Sequence, residues 1–517
     1  MTELAETTEI SKFAVSPTLE TEASGAALRE RDIWPMLYRL LPLLWLPACC
    51  GFIGAYLYAI AGRFAYPYPI EWLEPDTLDI VSRILARLPI YCEPTYAYVA
   101  SMKAPLYYYV VAAFSLVFGN DLATGRLVSI LSTFGVCLII WNFVWREGRS
   151  RLWALFGVAL FLASYDVSND WFDIARLDSF FLLLTITGVF ALRFSRGAIG
   201  AVIAGLLFAA AFFTKQVVLA LIIPTLFLYA FAARRQAILA ALTAAAVIVT
   251  VMVGMHLATD GWSTFFLIEV PRYVTIDPER MVAFWTADLF PTFFLALLTS
   301  IALFVGMWTS DRGSPVFYCG LLCGTILVGW GGRANVAGAA NVMMPIYAVL
   351  AVTMPLALQA TLRRLEGPGR LRRACCVGVH LVALAQLAML SYDPRDTVPS
   401  PSDKTTSERM LARLRSLDGG IYFMGDRYFA RLLGRPSVGL DYSLVDVLRD
   451  QDSPVAAKLR ASIIDALRNG QFAGVVDPAA FVRDSLRLGA PVSLQSMPHD
   501  RHNHFTPRFE AYYPIMK

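Results

Sequence analysis

The sequence predicts a polytopic α-helical membrane protein, with about eleven transmembrane helices followed by a small C-terminal extracytoplasmic α/β domain. Three observations carry that prediction. The 517 residues are 57% hydrophobic and 16% charged, with a mean hydropathy of +0.55. One soluble core cannot hide that much apolar surface, so a bilayer must be the solvent. The apolar residues gather into runs near bilayer length. After residue 391 the pattern changes to short strand-like runs alternating with amphipathic helices.

Residues 1–32, with Glu3, Glu6, Glu9, Glu20 and Glu22, are too acidic for a signal peptide and too polar for a span, and read as a disordered cytoplasmic tail. A transmembrane domain is expected over 33–391. Its apolar runs lie at 36–61, 126–145, 152–168, 179–194, 198–214, 217–233, 237–258, 289–308, 315–331, 342–358 and 374–391. A further run, Pro105 to Phe118, is short and opens on Tyr107, Tyr108 and Tyr109, so it reads as a helix lying along the interface. Charge tests that choice, because arginine accumulates in short cytoplasmic loops. Eleven spans with the N-terminus inside put Arg146, Arg149, Arg151, Arg193, Arg196, Arg234, Arg235, Arg312, Arg363, Arg364, Arg370, Arg372 and Arg373 in cytoplasmic loops. A twelfth span would turn them all outward.

The outer face then holds 62–125, 165–178, 259–288 and everything after 391. Residues 392–410 read as a linker, and 411–517 as the soluble domain, with GGIYFMGD and FAGVVD as buried strands separated by the helical ASIIDALRNG. Seven of the eight cysteines lie in apolar runs and imply no disulfide framework.

Chemistry is sought in the outer loops. The first places Glu71, Glu74, Asp76 and Asp79 close after the first span. Asp76 also suits a helix N-terminus, where a carboxylate satisfies free backbone NH groups. The second packs Asp166, Asp170, Asp173, Arg176 and Asp178 into SYDVSNDWFDIARLDSFF, with Asp178 at the mouth of the next span. Carboxylates at that depth face a cavity or pair with a neighbour such as Arg176. Between residues 36 and 391 the chain uses only two lysines, Lys103 and Lys215. A compact ammonium at headgroup level suits a phosphate, or simply snorkels to water. Further outer-face candidates are His256, Arg272, Arg280, Arg333 and Asn341. The cluster His499, Asp500, His502 and His504 lacks zinc spacing and reads as an exposed tail.

Four motifs occur in order: the acidic IEWLEPD, the interfacial KAPLYYY, the turn FGNDLATGRL and the outer-loop ARLDS. Through them the chain resembles the GT-C superfamily of membrane glycosyltransferases, especially the bacterial branch similar to protein O-mannosyltransferases and aminoarabinose transferases. The resemblance covers most of 36–358. It implies a GT-C-like fold, a polyprenyl-phosphate sugar donor and an inverting transfer on the outer face, with Glu74 or Glu71 as base. It further implies that Asp178 orients the site or binds metal, and that Lys103 and Lys215 hold the donor phosphate.

The expected activity is therefore transfer of a hexosyl or pentosyl group from a polyprenyl-phosphate-linked sugar to an extracytoplasmic lipid, polysaccharide or protein acceptor. The expected location is the bacterial plasma membrane, with the C-terminus outside. Lys103, Lys215, Arg176 and Arg333 are the expected phosphate ligands. A divalent metal ion is the one cofactor this reading admits, with Asp178 and Asp173 as its ligands. Partners are the donor, the acceptor and membrane lipids, with no nucleic acid. The alternative is a transporter or flippase of a lipid-linked glycan, which would need ionisable groups at mid-membrane depth, whereas the charges here lie at span ends.

Overall fold

The computed structural model describes residues 40–195, 197–307, 313–336, 338–365, 369–424, 427–435, 442–477, 479–493 and 511–516. The expected N-terminal tail and the histidine cluster at 499–504 lie outside the described residues. Each of the eleven expected runs falls on a helix. They are Leu46–Arg63, Leu122–Gly148, Arg151–Ala163, Asp178–Phe194, Gly197–Phe212, Val218–Ala258, Phe290–Met307, Gly313–Ala334, Met344–Arg364 and Arg370–Ala388. The 41-residue helix Val218–Ala258 accounts for two runs, because Ala233 breaks it with a non-helical backbone (φ −142°, ψ 63°). The first span starts later than its apolar run, after a 3-10 turn at Leu41–Leu44 whose Pro42 suits a helix start.

These helices form the bundle expected of a multi-pass membrane protein. Met344–Arg364 is its centre, with residues 344 through 359 all buried. Apolar side chains on the perimeter stay bare, among them Ile199, Phe227, Phe231 and Leu257. Outward apolar surface on that scale is what lipid contact requires. The tyrosine-led run forms the short helix Leu106–Phe118. Its Leu106 N–H donates to the Phe213 carbonyl at the end of Gly197–Phe212, and its far end leaves Leu116, Val117 and Phe118 exposed.

An amphipathic helix, Glu74–Leu85, lies in the first loop and buries Leu78, Ile80 and Val81. Beyond the bundle, β1 (Ile421–Phe423) and β2 (Gly474–Val476) pair in parallel, while β3 (Val492–Ser493) and β4 (Ala511–Pro514) complete a sheet of order β1-β2-β4-β3. Tyr422, Phe423, Val475 and Val476 are buried, as expected of strands covered by helices such as Pro454–Arg468.

The linker expectation needs correction. Residues 401–415 form a helix, Pro401–Arg415, opened by a capping box in which Ser400 and Asp403 bond reciprocally. Ser, Pro, Asp and Thr here spell a helix start and not a spacer. Met410 and Leu414 pack with Phe423 and Phe429, so the soluble domain begins with this helix and the boundary at 411 falls inside it.

Candidate active site

Glu74 and Arg126, drawn from two of the four motifs, meet in the fold. The guanidinium of Arg126, on Leu122–Gly148, donates through Nε and Nη2 to both carboxylate oxygens of Glu74, each at 2.9 Å. Its remaining protons go to the carbonyls of Arg63, Tyr66 and Tyr68 at 2.6–2.9 Å, pinning the chain as it leaves the first span. Glu74 also accepts from the backbone N–H groups of Ile70 (2.7 Å) and Ala175 (2.8 Å). Both side chains are fully buried. Burial pushes Glu74 up, but the Arg126 charge and these hydrogen bonds outweigh it and hold its carboxyl below the usual range. Gly125 permits the approach, since a Cβ there would stand 2.5 Å from that of Ala175.

Glu74, one of the two expected bases, has its four acceptor directions committed, and its physical work is to lock the first loop onto the second. Glu71, one helical turn earlier, is placed differently. It accepts from the Leu73 N–H at 2.9 Å, lies 3.6 Å from Arg176 Nη1, and lines a cavity of about 620 Å³.

That cavity opens between the first two loops, the segment 267–280, the N-terminal end of Val218–Ala258 and the C-terminal end of Gly313–Ala334. Lys103, Arg176, Lys215 and Arg280 share its wall with Trp72, Trp171, Gln216 and Asn341. Arg176 lies over the Trp171 ring at 4.7 Å. Lys215 Nζ is fixed by Asp178 Oδ1 at 2.8 Å, and the same oxygen accepts from Asn341 Nδ2 at 2.8 Å. Lys103 is different: its ammonium makes no hydrogen bond or ion pair with any described residue, although it is half-buried. Burial, with Lys215 and Arg176 nearby, pushes it down to about 8.

The structure places the other expected phosphate and metal ligands as follows. Arg333 turns away into a bidentate pair with Asp288 (2.7 and 3.1 Å) and a bond to the Gly338 carbonyl, so Arg280 takes its place on the cavity wall. Asp178 and Asp173, the expected metal ligands, each face cations. Asp178 is neutralised by Lys215 and Arg176, while Asp173 pairs with Arg63 Nε at 3.1 Å and accepts from Tyr165 at 2.9 Å. Asp178 Oδ2 itself accepts no hydrogen bond among the described residues and lies 3.8 Å from Arg176 Nε. Among the described residues no group of three or more His, Cys, Asp or Glu side chains converges.

The structure also adds residues that sequence reasoning passed over. Asp446, in the soluble domain's helix Tyr442–Leu448, reaches a small annex of about 30 Å³ that shares Leu73, Met102, Lys103 and Arg176 with the main cavity. Burial pushes Asp446 up to about 6 against the pull of Lys103 and Arg449. Asp76, read as a helix cap, instead pairs with Arg427 of the soluble domain at 2.9 Å.

The whole architecture can be matched to solved structures. ArnT from Cupriavidus metallidurans bound to undecaprenyl phosphate superposes with a TM-score of 0.55 at 13% identity, covering 93% of this chain and 97% of that one. The chain has the GT-C fold. The apo state of the same ArnT matches at TM-score 0.53 and 14% identity, covering 94% of this chain and 98% of that one. The archaeal oligosaccharyltransferase AglB from Archaeoglobus fulgidus, in complex with an inhibitory peptide and a dolichol-phosphate, matches at 0.51 and 10%, covering 83% and 69% of the two chains. No protein-family model matches the sequence, and no curated protein matches it.

Proposed function

We propose that this GT-C protein transfers a sugar from a polyprenyl-phosphate donor to an acceptor hydroxyl outside the cytoplasm of a bacterial cell, with inversion. The observation that carries the reading is the unpartnered Lys103 ammonium on the cavity wall, beside Arg176, Lys215 and Arg280. A half-buried cation with no carboxylate of its own is poised for an anion arriving with the substrate. The likeness to ArnT bound to undecaprenyl phosphate supports a lipid-linked phosphate as that anion.

In this mechanism Glu71 removes the proton of the acceptor hydroxyl as its oxygen attacks the anomeric carbon. The bond from that carbon to the phosphate oxygen breaks, and its electron pair leaves with the polyprenyl phosphate. Lys103, Arg176 and Lys215 stabilise the charge that develops there. Asp178 acts as a positioning residue, since it holds Lys215 and contacts no cavity itself.

The test is transfer of radiolabelled sugar from a panel of polyprenyl-phosphate donors, with purified protein in nanodiscs and membrane extract as acceptor. Transfer by wild type and none by Glu71→Gln is expected. A folded wild type that transfers from no donor would refute the proposal and point to glycan translocation.

A further inference from the structure

A second basic site lies away from the transfer cavity, where the soluble domain meets the first loop. A groove of about 340 Å³ is lined by Arg83, Arg427, Arg431 and Arg435, with Asp79 and Ser82. Arg427 is committed to carboxylates, with Asp76 at 2.9 Å and Asp79 at 3.3 Å. The other three are not. Arg83 donates to the Pro89 carbonyl and stacks over the Tyr98 ring at 3.8 Å. Arg431 donates to the Ser82 hydroxyl and the Asn120 carbonyl. Arg435 donates to the Leu417 carbonyl, and its Nη1 is buried with no hydrogen-bond partner among the described residues. Among the described residues these three guanidiniums have no carboxylate partner.

Like charges gathered in a partly desolvated groove repel one another, and a buried guanidinium nitrogen left without an acceptor adds a desolvation penalty. Both costs are relieved by a bound anion, and the planar fork of arginine matches phosphate and carboxylate oxygens. Helix Glu74–Leu85 connects the two sites. Its N-cap Leu73 lines the transfer cavity, while Asp79, Ser82 and Arg83 line the groove. At 1.5 Å rise per residue, the groove begins about 9–15 Å along the helix from the cavity.

We infer that this groove is an oxyanion-binding subsite, taking a phosphate or carboxylate group of the acceptor and so orienting its hydroxyl toward Glu71. The assignment to an acceptor rests on the transferase reading above. The anion site itself rests only on the groove.

The experiment titrates inorganic phosphate into full-length protein in phosphatidylcholine nanodiscs, using a Lys103→Gln background to silence the main cavity. Binding in that background is expected to weaken about tenfold with either Arg431→Gln or Arg435→Gln, and to survive in Arg435→Lys. Unchanged melting midpoints confirm folding, and the two independent glutamine variants keep the test decisive if one of them misfolds. Absence of phosphate binding, or binding indifferent to both substitutions, overturns the subsite even in a protein that transfers sugar. Repeating the titration with phosphatidylglycerol in the nanodiscs separates the sources. Undiminished binding supports an acceptor oxyanion, whereas loss of binding means that lipid headgroups fill the groove and overturns its assignment to the acceptor. Arginine-dependent phosphate binding in a protein without any transfer activity would sink the transferase reading and leave the anion site standing.

Discussion

Glu71 and Glu74 stand three residues apart in one acidic motif, yet the structure gives them opposite consequences on substitution. Replacing Glu74 by Gln removes the negative charge opposite Arg126 where both side chains are fully buried. Four hydrogen bonds end on that carboxylate, two from Arg126 and one each from the Ile70 and Ala175 N–H groups. Leaving one partner of such a buried pair uncompensated costs about 3–5 kcal/mol. For a chain of 517 residues that lowers the melting midpoint by about 3–5 °C. Replacing Glu71 by Gln keeps the shape and an acceptor for the Leu73 N–H, and weakens a pair with Arg176 that is already long at 3.6 Å, so it should cost less stability than Glu74→Gln. Transfer, in contrast, should fall by about 10²–10⁴-fold when the base is lost. The assay pairs thermal unfolding in nanodiscs with sugar-transfer rates for each variant. A stable Glu74→Gln that is catalytically dead, beside a fully active Glu71→Gln, would refute the division of roles. The double variant Glu74→Met with Arg126→Met leaves no charge buried alone, but it strips the Arg63, Tyr66 and Tyr68 carbonyls and the Ile70 and Ala175 N–H groups of their partners, so its melting midpoint should stay well below wild type.

Three further outcomes follow from the geometry. Since Lys103 is pushed down to about 8, its cationic fraction is nearly complete at pH 7 and is lost as pH rises through 8. The donor KM should then climb about tenfold per pH unit above that point, and the climb should vanish in Lys103→Arg; a flat KM in wild type from pH 7 to 9.5 would contradict it. Gly125→Val should force Ala175 away from Glu74, because even a Cβ meets the Ala175 methyl at 2.5 Å, lowering both melting midpoint and activity; a neutral variant would show that the second loop can move freely. Arg427→Met should leave Asp76 and Asp79 without their cation and loosen the soluble domain, read as faster limited proteolysis between residues 391 and 401. Unchanged cleavage would mean that other contacts suffice for docking.

The helices of the bundle were legible because each is an apolar run, and among the described residues seven of them are long and apolar enough to cross a membrane. Residue types at the site were legible too, since Glu71, Lys103, Arg176 and Lys215 all reach one cavity. Pairing was not. Nothing local joins Glu74 to Arg126 across 52 positions, or Asp178 to Asn341 across 163. Sequence spacing ranks acids by their nearness to a motif, while the fold decides which of them is consumed by a cation. The helix Pro401–Arg415 was misread because capping residues and linker residues share a composition. Asp446 carried no signal at all, as its importance comes from the docking of its domain against Lys103.

That docking sets the order in which the protein can come to life on the ribosome. Arg427 holds Asp76, Arg431 holds the Asn120 carbonyl, and Lys458 pairs with Glu93, contacts that join segments 311 to 365 positions apart. The first loop emerges early in synthesis, but its partner surface is translated 311 to 365 positions later. Closing so long a loop comes late in folding. A nascent or truncated chain would therefore carry Glu71, the two lysines and the helical bundle without a finished cavity wall until the last hundred residues arrive.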